Sequence, residues 1–300
     1  MMQISNFPEF QEIEISHQGQ ISELLKRHPL EASEYTFTNL FAFKGTYNIK
    51  ISLLDASLII LKDIEPKSFF CPAGEIQSAD VLDVLFDWLK SQTDEACIER
   101  VPESFVHKYV GNSDDFIIEE TRDHFDYLYN VEELVELKGR KYHDKRNKVN
   151  KFRTLYKYQY LPLTPDLIDD CLDFEDSWCE VKECEKFYGL EKERTAILQM
   201  LLNFEALNIT GGVIRINERI EALTLAEQMM QDTIVIHVEK ANTDIPGLYQ
   251  VINQEFLQHD AQDYTYVNRE QDLGVPGLRK SKMSYNPVRL VRKFKIKKKL

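Results

Sequence analysis

The stretch 211–267 limits the possible folds more than any other. GGVIRI (211–216), RIEALTLAEQM (219–229) and TIVIHVE (233–239) are three apolar, β-branched runs separated by only two and three residues. Runs of this length and composition are strand material. Asn217-Glu218 is a two-residue hairpin connection, so the first two strands must be antiparallel neighbours. Pro246 then opens a helix through 258, at a first-turn position where a missing N–H costs nothing. A strand at 264–267, a short helix at 276–282 and a last strand at 288–295 complete the pattern. Upstream lie a polar, basic helix at 141–154, a helix opened by Pro165 that runs to 186, and another at 191–207. This order of short helices and closely spaced strands describes an α/β unit built on a mixed sheet.

The first part of the chain reads as a looser version of the same plan. A helix with aromatic anchors at 33–44 is followed by strands at 48–54 and 57–62 around the Asp55-Ala56 turn, and by a short strand at 69–72. The helix 78–90 is amphipathic: Ser78 caps it, and Val81, Leu82, Leu85 and Leu89 share a face. A strand at 97–101, a short helix at 102–109 and a strand at 116–120 follow. At 300 residues the chain is long enough for two cores of about 100–200 residues each. The expected division is 1–125 and 126–300.

Charge is unevenly placed on a chain whose formal net charge is −13. Residues 138–157 hold nine Lys/Arg and one acid, Asp144, and residues 279–300 hold ten Lys/Arg and none of the 50 acids. Two basic segments on an acidic body suit an anionic ligand such as a phosphate, a tRNA or a lipid headgroup; the alternative is a solvated charged face and a frayed tail. Five cysteines without a C-x-x-C pair read as buried free thiols in a reducing cytoplasm. The start, MMQISNFPEF, has neither the basic nor the apolar region of a signal peptide. No apolar run approaches the roughly 20 residues of a membrane helix. A cytoplasmic protein without a transmembrane segment is expected, and peripheral membrane contact stays open.

Three segments of the second half resemble the C-terminal domain of the lysylphosphatidylglycerol synthetase family: LKGRKYHDKRNKVNKF (137–152), IHVEKANTDIPGLYQVINQEFL (236–257) and YVNREQDLGVPGLRKSKMSYNP (266–287). The last is the most specific, since Gly277-Leu278-Arg279, Lys282, Tyr285 and Pro287 are similar to the family's terminal pattern, although Val288 follows the Pro where a Trp often stands. The element order of the second half is likewise that of a GNAT-type acyltransferase after its first strand. The resemblance implies two tandem GNAT-like (acyl-CoA N-acyltransferase-like) domains with central mixed β-sheets, the first of them degenerate. It also implies acyl or aminoacyl transfer, with aminoacyl-tRNA as one option for the donor and the acceptor open. A non-catalytic binding protein with a basic cleft, and an acyl-CoA N-acyltransferase with an atypical cofactor loop, are the alternatives.

The residues suggest roles for themselves. Lys145, Arg146 and Asn147 lie on the basic helix, where Lys and Arg can track phosphates and Arg can bind two oxygens at once. Asn268, Arg269, Glu270 and Asp272 directly follow a core strand. Arg269 could hold a carboxylate or phosphate, and Glu270 or Asp272 could take a proton from an acceptor. Arg279 and Lys282 share a helix face and could neutralise a developing oxyanion, and Tyr285 could donate a proton to a leaving hydroxyl. Arg146, Arg269, Arg279 and Lys282 are expected to meet in one pocket. No cofactor is expected. Coenzyme A is disfavoured because EKANTDIPGLYQ (239–250) has one Gly, an acid where a pyrophosphate would sit, and a Pro that removes a donor. No metal-ligand spacing and no nucleotide-binding or hydrolase motif is present.

Overall fold

The computed structural model describes residues 3–111 and 114–299. The start of the stretch read for a leader and the last residue of the basic tail therefore lie outside the described residues. The chain divides into two compact units. The first comprises Met1–Asp126, Gln271–Val275 and Leu290–Leu300, and the second Tyr127–Glu270 and Pro276–Arg289.

In the first unit the strands run in the order Gln11–Glu12, Ile49–Leu54, Ser57–Lys62, Ser68–Phe70, Ile98–Pro102, Lys293–Lys298, Phe116–Glu120, and Ala73–Gly74 pairs with Ser57–Lys62. Ser68–Phe70 and Ile98–Pro102 are parallel, so the sheet is mixed. The expected amphipathic helix forms as Asp80–Lys90 and buries Leu82, Leu85, Phe86 and Leu89. Ser78 accepts from the Asp80 N–H at 3.2 Å.

The expected cut at 125/126 needs correcting at the C-terminus. The last strand is two pieces: Arg289–Val291 belongs to the second sheet, and Lys293–Lys298 enters the first, antiparallel to Ile98–Pro102 on one side and Phe116–Glu120 on the other. Lys293 explains the switch. Its side chain is 0% exposed, and its ammonium donates to Glu34 Oε2 at 2.5 Å and Asp126 Oδ1 at 2.6 Å. Gln271 adds hydrogen bonds to Asp126 and Ser33, which ties its own segment to this unit. Burial raises the Glu34 pKa against the opposing pull of Lys293. Three more basic residues of the tail are paired: Lys297 with Glu119, Lys298 with Asp83, and Arg292 with Glu103 and Glu120.

The second unit carries the dense strand pattern as expected. Its sheet runs Arg289–Val291, Asp126–Asn130, Tyr266–Asn268, Thr233–Ala241, Arg219–Met230, Thr210–Ile216, Gln159–Pro162. Thr233–Ala241 and Tyr266–Asn268 form its parallel pair. The Gln159–Pro162 edge strand was not expected; its QYLP sequence is too short and too polar to stand out. The helix expected over 165–186 stops at Lys182, because Glu183 adopts φ 52°. That turn brings Cys184 back to Cys179 with Cα atoms 5.0 Å apart, and the two are disulfide-bonded. The expectation of five free thiols holds only for Cys71, Cys97 and Cys171, all buried.

Candidate functional site

The parallel pair sets the geometry. Its two strands bring the polar end of one, His237 and Glu239, beside the residues that follow the other, Asn268 to Glu270. The ladder to Arg219–Met230 slips at His237, which falls between Ile236, paired with Ala226, and Val238, paired with Leu225, and the two side chains reach different partners, Glu227 for His237 and Asn253 for Glu239. Asn268 is buried, and its Oδ1 accepts from the Glu270 N–H at 2.8 Å. This local bond supports the φ of 53° at Glu270.

Arg269 occupies the centre. Its Nη2 donates to Glu239 Oε1 at 2.5 Å, and Asn253 from the helix Leu248–Asp260 donates to Glu239 Oε2 at 2.8 Å. The guanidinium carbon lies 4.7 Å from the Tyr285 ring centroid and 5.6 Å from that of Tyr129. Burial works against the charge on Arg269, but Glu239 and the flanking tyrosines raise its pKa overall. Nη1 is buried and has no hydrogen-bond partner among the described residues. Buried donors are rarely left unpaired, so this one marks a place for an acceptor.

Tyr285 links Arg269 to the basic helix, which forms as His143–Leu155. Lys145 Nζ sits 4.0 Å from the Tyr285 centroid. Burial, then Lys148 and Arg269, lower the Lys145 pKa to about 8. No carboxylate pairs with Lys145 among the described residues. Burial raises the Tyr285 pKa while Arg269 opposes the shift. Tyr142 donates to the Tyr285 carbonyl at 3.2 Å and Lys282 Nζ to the Arg269 carbonyl at 2.5 Å, which fixes the backbone on both sides. Gly247, at φ 92°, holds the basic helix close: a Cβ there would lie 2.7 Å from the Lys148 carbonyl oxygen.

Behind Arg269, His237 bridges two carboxylates. Nδ1 is 2.8 Å from Glu270 Oε1 and Nε2 is 2.9 Å from Glu227 Oε1. Burial would lower its pKa, but the two glutamates raise it to about 9. Near neutral pH the imidazole is therefore a buried cation that orients Glu270.

The structure thus brings together Lys145, Arg269, Lys282 and Tyr285, with Asn268 and Glu270 flanking Arg269 in the chain and paired elsewhere. It does not gather the four cations expected in one pocket. Arg146 instead donates to the Leu137 and Gly139 carbonyls at 2.5 and 3.2 Å, closing the loop before its own helix. Asn147 is exposed and bonds His143 at 2.9 Å. Arg279 lies on the helix Pro276–Met283. Asp272 belongs to the first unit, fully buried against Arg122 Nη1 at 3.1 Å and capping the Gly274 N–H. A carboxylate engaged in that way is poorly placed to accept a proton. Sequence reasoning missed His237, Glu239 and Tyr129. The signal for the first two was present as polar residues at alternate positions of an otherwise apolar strand.

Comparisons with known proteins bear on the family and the fold. The family model for the C-terminal part of phosphatidylglycerol lysyltransferase matches residues 25–297. A conserved protein of unknown function from Bacteroides thetaiotaomicron is 34% identical, with a TM-score of 0.90 over 97% of this chain and 99% of its own. The C-terminal domain of a putative lysylphosphatidylglycerol synthetase from Agrobacterium fabrum has a TM-score of 0.68 at 13% identity, covering 94% of this chain and 92% of that one. L-PGS from Bacillus licheniformis has a TM-score of 0.65 at 13% identity, covering 99% and 94%. No curated protein matches the chain. The chain shares the two-sheet mixed α/β fold of these structures, and no helix among the described residues is long and apolar enough to cross a membrane. With a family model matched over almost its whole length, the chain belongs to the phosphatidylglycerol lysyltransferase C-terminal family.

Proposed function

We infer that the protein is an aminoacyl- or acyl-transferase whose reaction centre is the Arg269–Tyr285–Lys145 cluster. The observation that carries this reading is the buried, unpartnered Nη1 of Arg269 next to a lysine without a carboxylate. An acyl ester is already activated, so the protein has to orient it, stabilise the oxyanion and move one proton. Arg269 Nη1 would take the oxyanion that develops as the acceptor adds to the carbonyl carbon. Lys145, in its neutral form, would accept the proton released by the acceptor and return it to the departing ester oxygen as the carbon–oxygen bond breaks.

The donor we favour is an aminoacyl-tRNA, in keeping with the lysyl transfer in the family's name and with the basic helix beside the cluster. Such a donor places the work in the cytoplasm, where the Cys179–Cys184 pair would be kept reduced. Coenzyme A remains disfavoured on local grounds. The Asp244 and Ile245 N–H groups donate to Asn242, and that of Leu248 to Ile245. The amides that would cradle a pyrophosphate are thus already engaged, and Asp244 stands exposed among them.

The test is discharge of total tRNA charged with radiolabelled amino acids, beside calorimetry with acetyl-coenzyme A. Faster loss of label from the tRNA, abolished in Arg269→Lys, is expected. Low-micromolar binding of acetyl-coenzyme A with no effect on charged tRNA would overturn the donor assignment. Binding of tRNA without discharge would make the protein a binder and not an enzyme.

A further inference from the structure

The helix Ile168–Lys182 turns one face toward the start of the strand Arg219–Met230 and the segment after Ala241, and leaves a groove of about 430 Å³ between them. The floor is apolar, made by Phe174, Trp178 and Ile220. Trp178 is fixed there by its Nε1–H, which donates to the Ala241 carbonyl at 3.1 Å. The rim is acidic, and its carboxylates are of two kinds. Asp170 faces Arg215 at 3.5 Å and Glu221 accepts from Asn242 at 2.8 Å, so both are engaged. The carboxylates of Asp173 on the helix, Glu218 in the hairpin and Asp244 in the following segment have no ion-pair or hydrogen-bond partner among the described residues. Lys182 is turned to Thr243 Oγ1 at 3.1 Å. Arg219 is then the one lining cation without a partner among the described residues, against three carboxylates on three separate elements.

We propose that this groove binds a linear polyamine, its methylene chain on Phe174, Trp178 and Ile220 and its ammonium groups on Asp173, Glu218 and Asp244. Charge complementarity selects the class. Separated single carboxylates suit several ammonium centres along one chain better than one metal ion, which needs its oxygens converging. Trp178 already carries Lys240 Nζ at 3.8 Å and Lys182 Nζ at 6.0 Å from its ring centroid, so the floor contributes burial of the methylenes. An anion is repelled by the same rim. The site is distinct from the Arg269 cluster, and its occupancy does not depend on the transfer reaction.

Trp178 gives the measurement, since Trp88 is the only other tryptophan. Spermidine would be titrated into Trp88→Phe protein at low salt with tryptophan fluorescence as readout, and into unmodified protein by calorimetry, so that a folding defect of the variant does not decide the outcome. Saturable binding is expected, weakened at least tenfold in Asp173→Asn/Glu218→Gln and unchanged in the control Asp94→Asn/Glu95→Gln, whose acids lie in the first unit. Equal weakening in the control pair, equal binding of a neutral oligoether diol of the same length, or no saturable binding would each overturn the proposal.

Discussion

Lys145 and Arg269 approach the same aromatic ring, with Nζ 4.0 Å and the guanidinium carbon 4.7 Å from the centroid of Tyr285. Two cations that share one ring repel each other, which is part of why the Lys145 pKa falls to about 8, after burial and Lys148. The sign of the pH effect follows. A lysine whose folded pKa is lowered costs stability while both states are protonated, and the cost is relieved as pH rises from about 8 toward the unfolded value near 10.4. Lys145→Met should therefore raise the thermal midpoint at pH 7 and have much less effect at pH 10.5. Parallel melts of the two proteins would show it, and equal gains at both pH values would contradict it.

The Arg269–Glu239 pair makes a stronger demand. Truncating one partner of a buried pair leaves the other charge uncompensated, at a cost of about 3–5 kcal/mol. Arg269→Ala should lose roughly that much in urea unfolding, and the double change Arg269→Met/Glu239→Gln should recover most of it. A single variant as stable as the parent would mean that the pair is well solvated.

His237 gives the opposite pH signature to Lys145. Its pKa is raised to about 9 by Glu227 and Glu270 acting against burial. Its contribution is fully present below the unfolded value near 6.5 and is lost as pH rises through 9. His237→Gln should flatten the decline in stability between pH 6.5 and 9, as followed by chemical denaturation across that range. A variant whose curve runs parallel to the parent would remove the bridging role.

Gly247 tests how closely the basic helix must approach. A Cβ 2.7 Å from the Lys148 carbonyl, at φ 92°, cannot be relieved by a side-chain rotation, because the obstacle is backbone. Gly247→Ala should cost about 1–3 kcal/mol and shift Lys145. Reactivity of lysines toward trinitrobenzenesulfonate at pH 8, read by peptide mass, should then change at Lys145 more than elsewhere.

The dense run 211–267 was legible because each strand carries a continuous apolar signal and each break is a turn. The central contact was partly legible too, since Arg269 and Tyr285 fall in the most specific motif. What was hidden depends on partners distant in sequence. Nothing local distinguishes Asp272, which Arg122 pairs with, from Glu270, which pairs with His237. Arg146 and Lys145 are neighbours on one helix, and only the loop carbonyls of Leu137 and Gly139 decide that Lys145 is the one beside Tyr285. The KFKIKKKL tail looked like solvated charge because the two carboxylates that bury Lys293 lie far upstream, at Glu34 and Asp126.

That tail also dictates when the first unit can mature. Ile98–Pro102 and Phe116–Glu120 do not pair with each other; each pairs with Lys293–Lys298 instead. On a ribosome releasing residues from the N-terminus onward, the first unit waits with two open strand edges, and with Glu34 and Asp126 lacking the ammonium of Lys293, until the last residues emerge. Open edges of this kind recruit other chains. A chain ended at residue 289 should therefore be prone to aggregate during synthesis, and a synthetic peptide of residues 290–300 supplied in trans should rescue it.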